Sequence, residues 1–152
     1  MLRFNFRGVG RSQGEHGHLT GEIEDARAAL GWLRARYPHL PFALAGFSFG
    51  ARVATRLGGD MEGARFLLAA GFPTRMGPSD YLEGCAIRKV FVQSTSDQYG
   101  PRGELDAVFA RLPEPKELIY IESSDHFFAG GLAELEDRVA EGSGRWSAST
   151  VK

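Results

Sequence analysis

The chain has 152 residues, 43% of them hydrophobic and 24% charged, and its 18 Lys and Arg against 19 Asp and Glu leave a formal net charge of −1. That length can bury one sizeable core, and the even charge balance gives no pull toward nucleic acid or anionic membranes. A single cysteine, Cys85, excludes an internal disulfide and points to a reducing, cytoplasmic setting, and no apolar run is long enough to span a bilayer.

In chain order, Leu2 to Phe6 reads as an opening strand followed by a glycine-rich loop. A helix follows from about Glu22 to Tyr37, with Ile23, Ala26, Leu30, Leu33 and Tyr37 on one face and Pro38 to stop it. Phe42 to Ala45 is a short apolar strand, and residues 51–57 have helix-forming composition. Strands are expected again at 64–70, 89–93 and 116–121, with a helix at 103–111 before the last of them. A final helix is expected over 128–140, with Leu132, Leu135 and Val139 in register with Phe128. The polar, glycine- and serine-rich residues 141–152 read as a mobile tail behind one domain of residues 1–140. Strand and helix in alternation predict an α/β fold, a mostly parallel sheet flanked by helices. Cys85 lies just before a strand and reads as a buried structural thiol.

The segment Gly46-Phe47-Ser48-Phe49-Gly50 joins one of those strands to a helix. Strand, G-x-S-x-G, helix is the context of a nucleophile elbow, in which the serine occupies a strained turn with its Oγ exposed at the strand's carboxyl end. Small residues two before and two after it let strand and helix pack closely. The helix start brings backbone N–H groups toward any negative charge that develops there.

Two further residue types complete that chemistry if they follow later strands. Asp97 lies a few residues past the 89–93 strand, and His126 a few residues past the 116–121 strand. Both positions are where ligands bind in open α/β sheets. Asp125, adjacent to His126, is a rival acid, but it follows the last strand rather than the one before it.

With these residues in place, the chain resembles the α/β-hydrolase superfamily, in particular its small bacterial dienelactone-hydrolase-like members. Three segments carry the resemblance: Leu2 to Gly14, the elbow at 46–50, and Asp125-His126-Phe127-Phe128. It extends to about residue 139. The resemblance implies Ser48 as nucleophile, Asp97 as the acid and His126 as the base. A serine hydroxyl needs such a base to take its proton during attack, and imidazole suits the task near neutral pH. The N–H of Phe49 would supply one arm of an oxyanion hole. The implied activity is that of a serine hydrolase on a small acyl ester or related acyl substrate, without metal or other cofactor.

The resemblance also implies a gap. Leu2 to Gly14 is similar to the family's fourth strand and the loop after it, whereas the second oxyanion N–H comes from the loop after the third. The family's sheet order, 1-2-4-3-5-6-7-8, puts that third strand between the fourth and fifth. Three completions are open: the chain is an N-terminally truncated fragment, the first strand pairs directly with Phe42–Ala45, or a homodimer mate or other partner supplies a strand. A non-catalytic domain acting as a binding module is the alternative function.

Fewer than twenty residues between Gly71 and Arg88 leave no room for a cap domain, so an open site is expected. Phe47, Phe72, Tyr99 and Phe127 are expected to wall it together with Phe49. Gly8, Gly10 and Gly14 lack the third glycine spacing of a dinucleotide fingerprint, since Gln13 stands where glycine is needed. His16 and His18 have no third ligand at metal-site spacing and read as a solvated loop pair, and His39 reads as loop surface.

Overall fold

The computed structural model describes residues 1–61 and 63–148, with Asp60 and residues 143–148 described by backbone alone. The chain divides into two compact units, Met1–Pro41 and Phe42–Lys152.

In the first unit the strand expected at Leu2 to Phe6 is absent. A strand exists only where a neighbour takes up its N–H and C=O groups. Among the described residues the one sheet has four strands, all later in the chain. Helix α1 (Thr20–Arg36) begins two residues earlier than its pattern implies. The fully buried Glu22 carboxylate explains that start, since it accepts the backbone N–H of Gly17 at 2.8 Å and of Leu19 at 2.9 Å. Burial works against its ionisation, but the backbone donors prevail and hold the Glu22 carboxyl below its ordinary range. His16 Nδ1 lies 2.6 Å from the same carboxylate. Arg7 closes the loop onto the helix, donating its backbone N–H to Asp25 at 2.9 Å and its guanidinium Nη2 at 2.7 Å.

The second unit is built from strands β1 (Phe42–Phe47), β2 (Ala64–Ala70), β3 (Arg88–Ser94) and β4 (Lys116–Ile121) and helices α2 (Phe49–Asp60), α3 (Arg102–Ala110) and α4 (Leu132–Ala148). The strands are all parallel and lie in the order β1-β2-β3-β4. Alternation along each strand sorts the apolar side chains into two cores, as the two-residue period requires. Leu67 and Ala69 of β2 and Phe91 of β3 share one core with Ala51 of α2 and Leu105 of α3. Phe66, Leu68, Val90, Val92 and Ile121 form the other, to which Leu135 and Val139 of α4 are added. Cys85 is free and buried in the first of these cores. The β2–β3 connection holds two single-turn 3₁₀ helices, Thr74–Met76 and Asp80–Leu82, and no cap domain.

Helix α4 starts four residues later than expected. Phe128 and Gly130 take positive φ values of 59° and 85°, which no right-handed helix can include. It then continues through Ala148, across much of the segment expected as a tail, and residues 149–152 of that segment lie outside the described residues.

Leu67 is fully buried, and a Cβ on Gly58 of α2 would run into its side chain. Leu67→Ala is therefore expected to cost about 2–5 kcal/mol, read from the shift in urea midpoint at unchanged slope.

Candidate active site

The turn from β1 into α2 is built around Ser48, whose φ of 52° and ψ of −118° are rare for any residue with a side chain. Such a backbone costs about 1–3 kcal/mol and persists only when its surroundings fix it. Ser48 N–H donates to the Ala70 carbonyl at 2.9 Å, extending the β1–β2 ladder one residue beyond β1. The Ser48 carbonyl accepts the N–H groups of Ala51 at 2.9 Å and Arg52 at 3.2 Å, which opens α2. Strand and helix approach so closely that a Cβ on Gly46 would run into the Gly50 carbonyl and stand 2.6 Å from the Ala51 nitrogen. Gly50 itself has open space, so only the first of the two elbow glycines is demanded by a side-chain clash.

The structure brings Ser48, Asp97 and His126 together. Ser48 Oγ lies 2.7 Å from His126 Nε2, and His126 Nδ1 lies 2.7 Å from Asp97 Oδ2. His126 and Asp97 are 2% and 3% exposed, so the pair is shielded from competing water. The second Asp97 oxygen accepts the N–H groups of Tyr99 at 2.8 Å and Gly100 at 3.0 Å. Asp125 is occupied differently: its Oδ1 accepts the N–H groups of Phe127 at 2.9 Å and Ala129 at 3.1 Å, shaping the loop that presents His126. Phe49 is the first residue of α2, so its N–H points from the helix start beside Ser48.

Gln93, at the end of β3, went unnoticed in the sequence. Its fully buried amide donates Nε2 to Asp97 Oδ2 at 2.8 Å and to the Gly100 carbonyl at 2.9 Å, while Oε1 accepts the Phe72 N–H at 2.8 Å. This one side chain ties Asp97 to the loops after β2 and β3. A glutamine ending an apolar strand was the available signal. Arg52 is a second such residue, buried one turn into α2. Its guanidinium donates to Ser79 Oγ at 3.0 Å and to the Pro78 carbonyl at 2.9 Å, and burial pulls its pKa below the usual range. It anchors the β2–β3 connection, which reaches the acid loop through the Arg75 N–H on the Tyr99 carbonyl at 3.2 Å.

Of the expected wall residues, Phe47, Tyr99 and Phe127 surround the His126 ring, with centroids 5.0, 4.8 and 5.3 Å away. Gly71, at φ 57°, makes room for them: a Cβ there would stand 2.9 Å from Phe47 Cε2 and 3.1 Å from His126 Cε1. Phe72 is not a wall. It is fully buried, packed edge-on to Phe91 at 5.3 Å, with the Arg52 guanidinium over the ring 5.3 Å from its centroid. Its N–H is committed to Gln93, which turns the ring inward.

Among the described residues no group of three or more His, Cys, Asp or Glu is placed to hold a metal ion, and no helix is long and apolar enough to cross a membrane.

A model of the alpha/beta hydrolase family matches residues 1–150. An uncharacterised protein of Rickettsia prowazekii is 34% identical over 137 residues, covering 84% of this chain and 58% of the relative. An alpha-beta serine hydrolase homologue from Coxiella burnetii superposes with a TM-score of 0.82 at 31% identity, covering 91% of this chain and 66% of that one. A lidless α/β serine hydrolase from Xanthomonas campestris gives 0.83 at 32% identity, covering 95% of this chain and 65% of that one. The chain thus spans about three fifths to two thirds of the length of these relatives. With a matching family model over nearly all its residues and the parallel sheet and elbow in place, the chain belongs to the alpha/beta hydrolase family.

Proposed function

We propose that the chain is a serine hydrolase of esterase type, cleaving a small acyl ester or related acyl substrate through an acyl-enzyme on Ser48. The observation that carries this reading is the unbroken line Ser48 Oγ, His126 Nε2, His126 Nδ1, Asp97 Oδ2, with 2.7 Å at both hydrogen bonds. Serine hydrolase homologues among its structural relatives support the same reading.

In that mechanism Asp97 accepts from Nδ1–H, which leaves the Nε2 lone pair facing the serine hydroxyl. Ser48 Oγ attacks the carbonyl carbon as its proton passes to Nε2, and the carbonyl oxygen becomes an oxyanion. The Phe49 N–H and the start of α2 stabilise that charge. The intermediate collapses, the carbon–oxygen bond to the alcohol breaks, and the imidazolium returns its proton to the departing oxygen. Water then attacks the acyl–Ser48 ester with His126 as base, releasing the acid and restoring the serine. Asp97 fixes the imidazole and stabilises its cation throughout.

The test is fluorophosphonate labelling of the purified chain, read by intact mass and peptide mapping. One adduct on Ser48, absent from Ser48→Ala, is expected; folded protein without an adduct would favour the non-catalytic binding module. Asp97→Asn is expected to lower kcat about 10⁴-fold, and Asp125→Asn far less, because its carboxylate serves backbone groups. The opposite ranking would move the acid role to Asp125. Gln93→Leu strands the buried Phe72 N–H and Gly100 carbonyl, at about 1–3 kcal/mol for each group left without a partner. Its denaturation midpoint should fall, and kcat should fall with KM little changed.

A further inference from the structure

The three aromatic rings around His126 are not buried: Phe47 is 41% exposed, Tyr99 48% and Phe127 62%. Exposed aromatics scattered singly mean little, but these three meet at one imidazole and two of them touch each other, Phe47 to Phe127 at 6.1 Å. Their orientations differ, with Tyr99 and Phe127 edge-on to the imidazole at 72° and 76° and Phe47 tilted at 34°. The result is an apolar collar of three exposed rings around the imidazole rather than a flat stack.

The charged groups within three residues of the collar rings, Asp97, Arg102 and Asp125, are engaged elsewhere. Asp125 serves the N–H groups of Phe127 and Ala129, Asp97 has four donors, and Arg102 pairs with Asp106 at 3.9 Å. Arg75, whose N–H bonds the Tyr99 carbonyl, pairs with Glu104 at 2.7 Å. The collar therefore offers an uncharged aromatic surface, which suits an uncharged aromatic or similarly flat apolar group.

The chemistry says which half of the substrate meets it. His126 Nε2 takes the Ser48 proton and must hand it to the departing oxygen, so that oxygen passes within hydrogen-bond reach of Nε2. The rings packed on the imidazole then flank the leaving group. The oxyanion, by contrast, faces the start of α2. Resting on the serine hydrolase reading above, we propose that Phe47, Tyr99 and Phe127 form a leaving-group subsite selective for esters of aromatic alcohols.

Esters of one acid, such as butyrate, with ethanol, cyclohexylmethanol and benzyl alcohol test this, since benzyl alcohol and ethanol are similar in leaving ability. A parallel ethyl ester series varies the acid from butyrate to phenylacetate. The benzyl ester is expected to exceed the ethyl ester in kcat/KM by about tenfold or more, from two or three ring contacts. Phe127→Ala and Tyr99→Ala should each reduce the benzyl-to-ethyl ratio about fivefold, with circular dichroism confirming that both variants are folded. Equal rates across the alcohol series, a preference that follows the acid instead, or a ratio unchanged in both variants would overturn the subsite while leaving Ser48 labelling and ester hydrolysis intact. Loss of both labelling and hydrolysis of every ester would overturn the serine hydrolase reading itself, and the subsite with it.

Discussion

The parallel ladder continues one residue past three of the strands. Ser48 N–H bonds to Ala70, Gly71 N–H to Val92 at 2.9 Å, and Thr95 N–H to Ile121 at 3.0 Å. Each loop therefore leaves the sheet at a level fixed by its neighbour, and the elbow, the acid loop and the histidine loop start from one edge. Side chains 29 and 78 residues apart can then meet within hydrogen-bond distance. No local sequence preference could hold them so, because loop closure over such separations carries an entropic cost that only the packed sheet offsets. The strained Ser48 backbone depends on the same ladder, since its N–H is one of the rungs.

Above that edge, the site is organised by saturating polar groups. The Asp97 carboxylate accepts two backbone N–H groups on one oxygen and the Gln93 amide and His126 on the other. A carboxylate so supplied is fixed in both position and rotation, which orients the imidazole in turn. Ser94 and Ser123 tie the two loops together beneath it, with Ser123 Oγ donating to Ser94 Oγ at 2.7 Å. The apolar collar then lies outside a rigid polar base.

Most of what positions the site was legible in the sequence, because it is local. Continuous apolar runs such as Phe66 to Ala70 and Val90 to Val92 announced buried parallel strands, and G-x-S-x-G between a strand and a helix announced the elbow. Residues Asp97 and His126 stood out because each follows a strand by only a few positions. What escaped was nonlocal. Leu2 to Phe6 has a strand's composition, but a strand needs a partner, and composition does not supply one. Phe72 looked like a wall residue until its N–H was seen to be held by Gln93, twenty-one residues away. Gln93 and Arg52 read as polar residues in apolar elements. Their roles emerge only when the carbonyls and hydroxyls they serve are brought around them. The late start of α4 follows from the Asp125 turn, whose hydrogen bonds compete with helix at Phe127 to Ala129.

The proposed mechanism requires Asp97 to hold His126 with its proton on Nδ1, leaving Nε2 free to act as base toward Ser48. The most direct measurement is nitrogen NMR of the imidazole in protein labelled at histidine, with His126 assigned by substitution and recorded above the pH at which the ring becomes neutral. A protonated Nδ1 and a bare Nε2 are expected, with the preference lost in Asp97→Asn. A neutral His126 carrying its proton on Nε2 would donate to the serine instead of accepting from it, and would rule out His126 as the base oriented by Asp97.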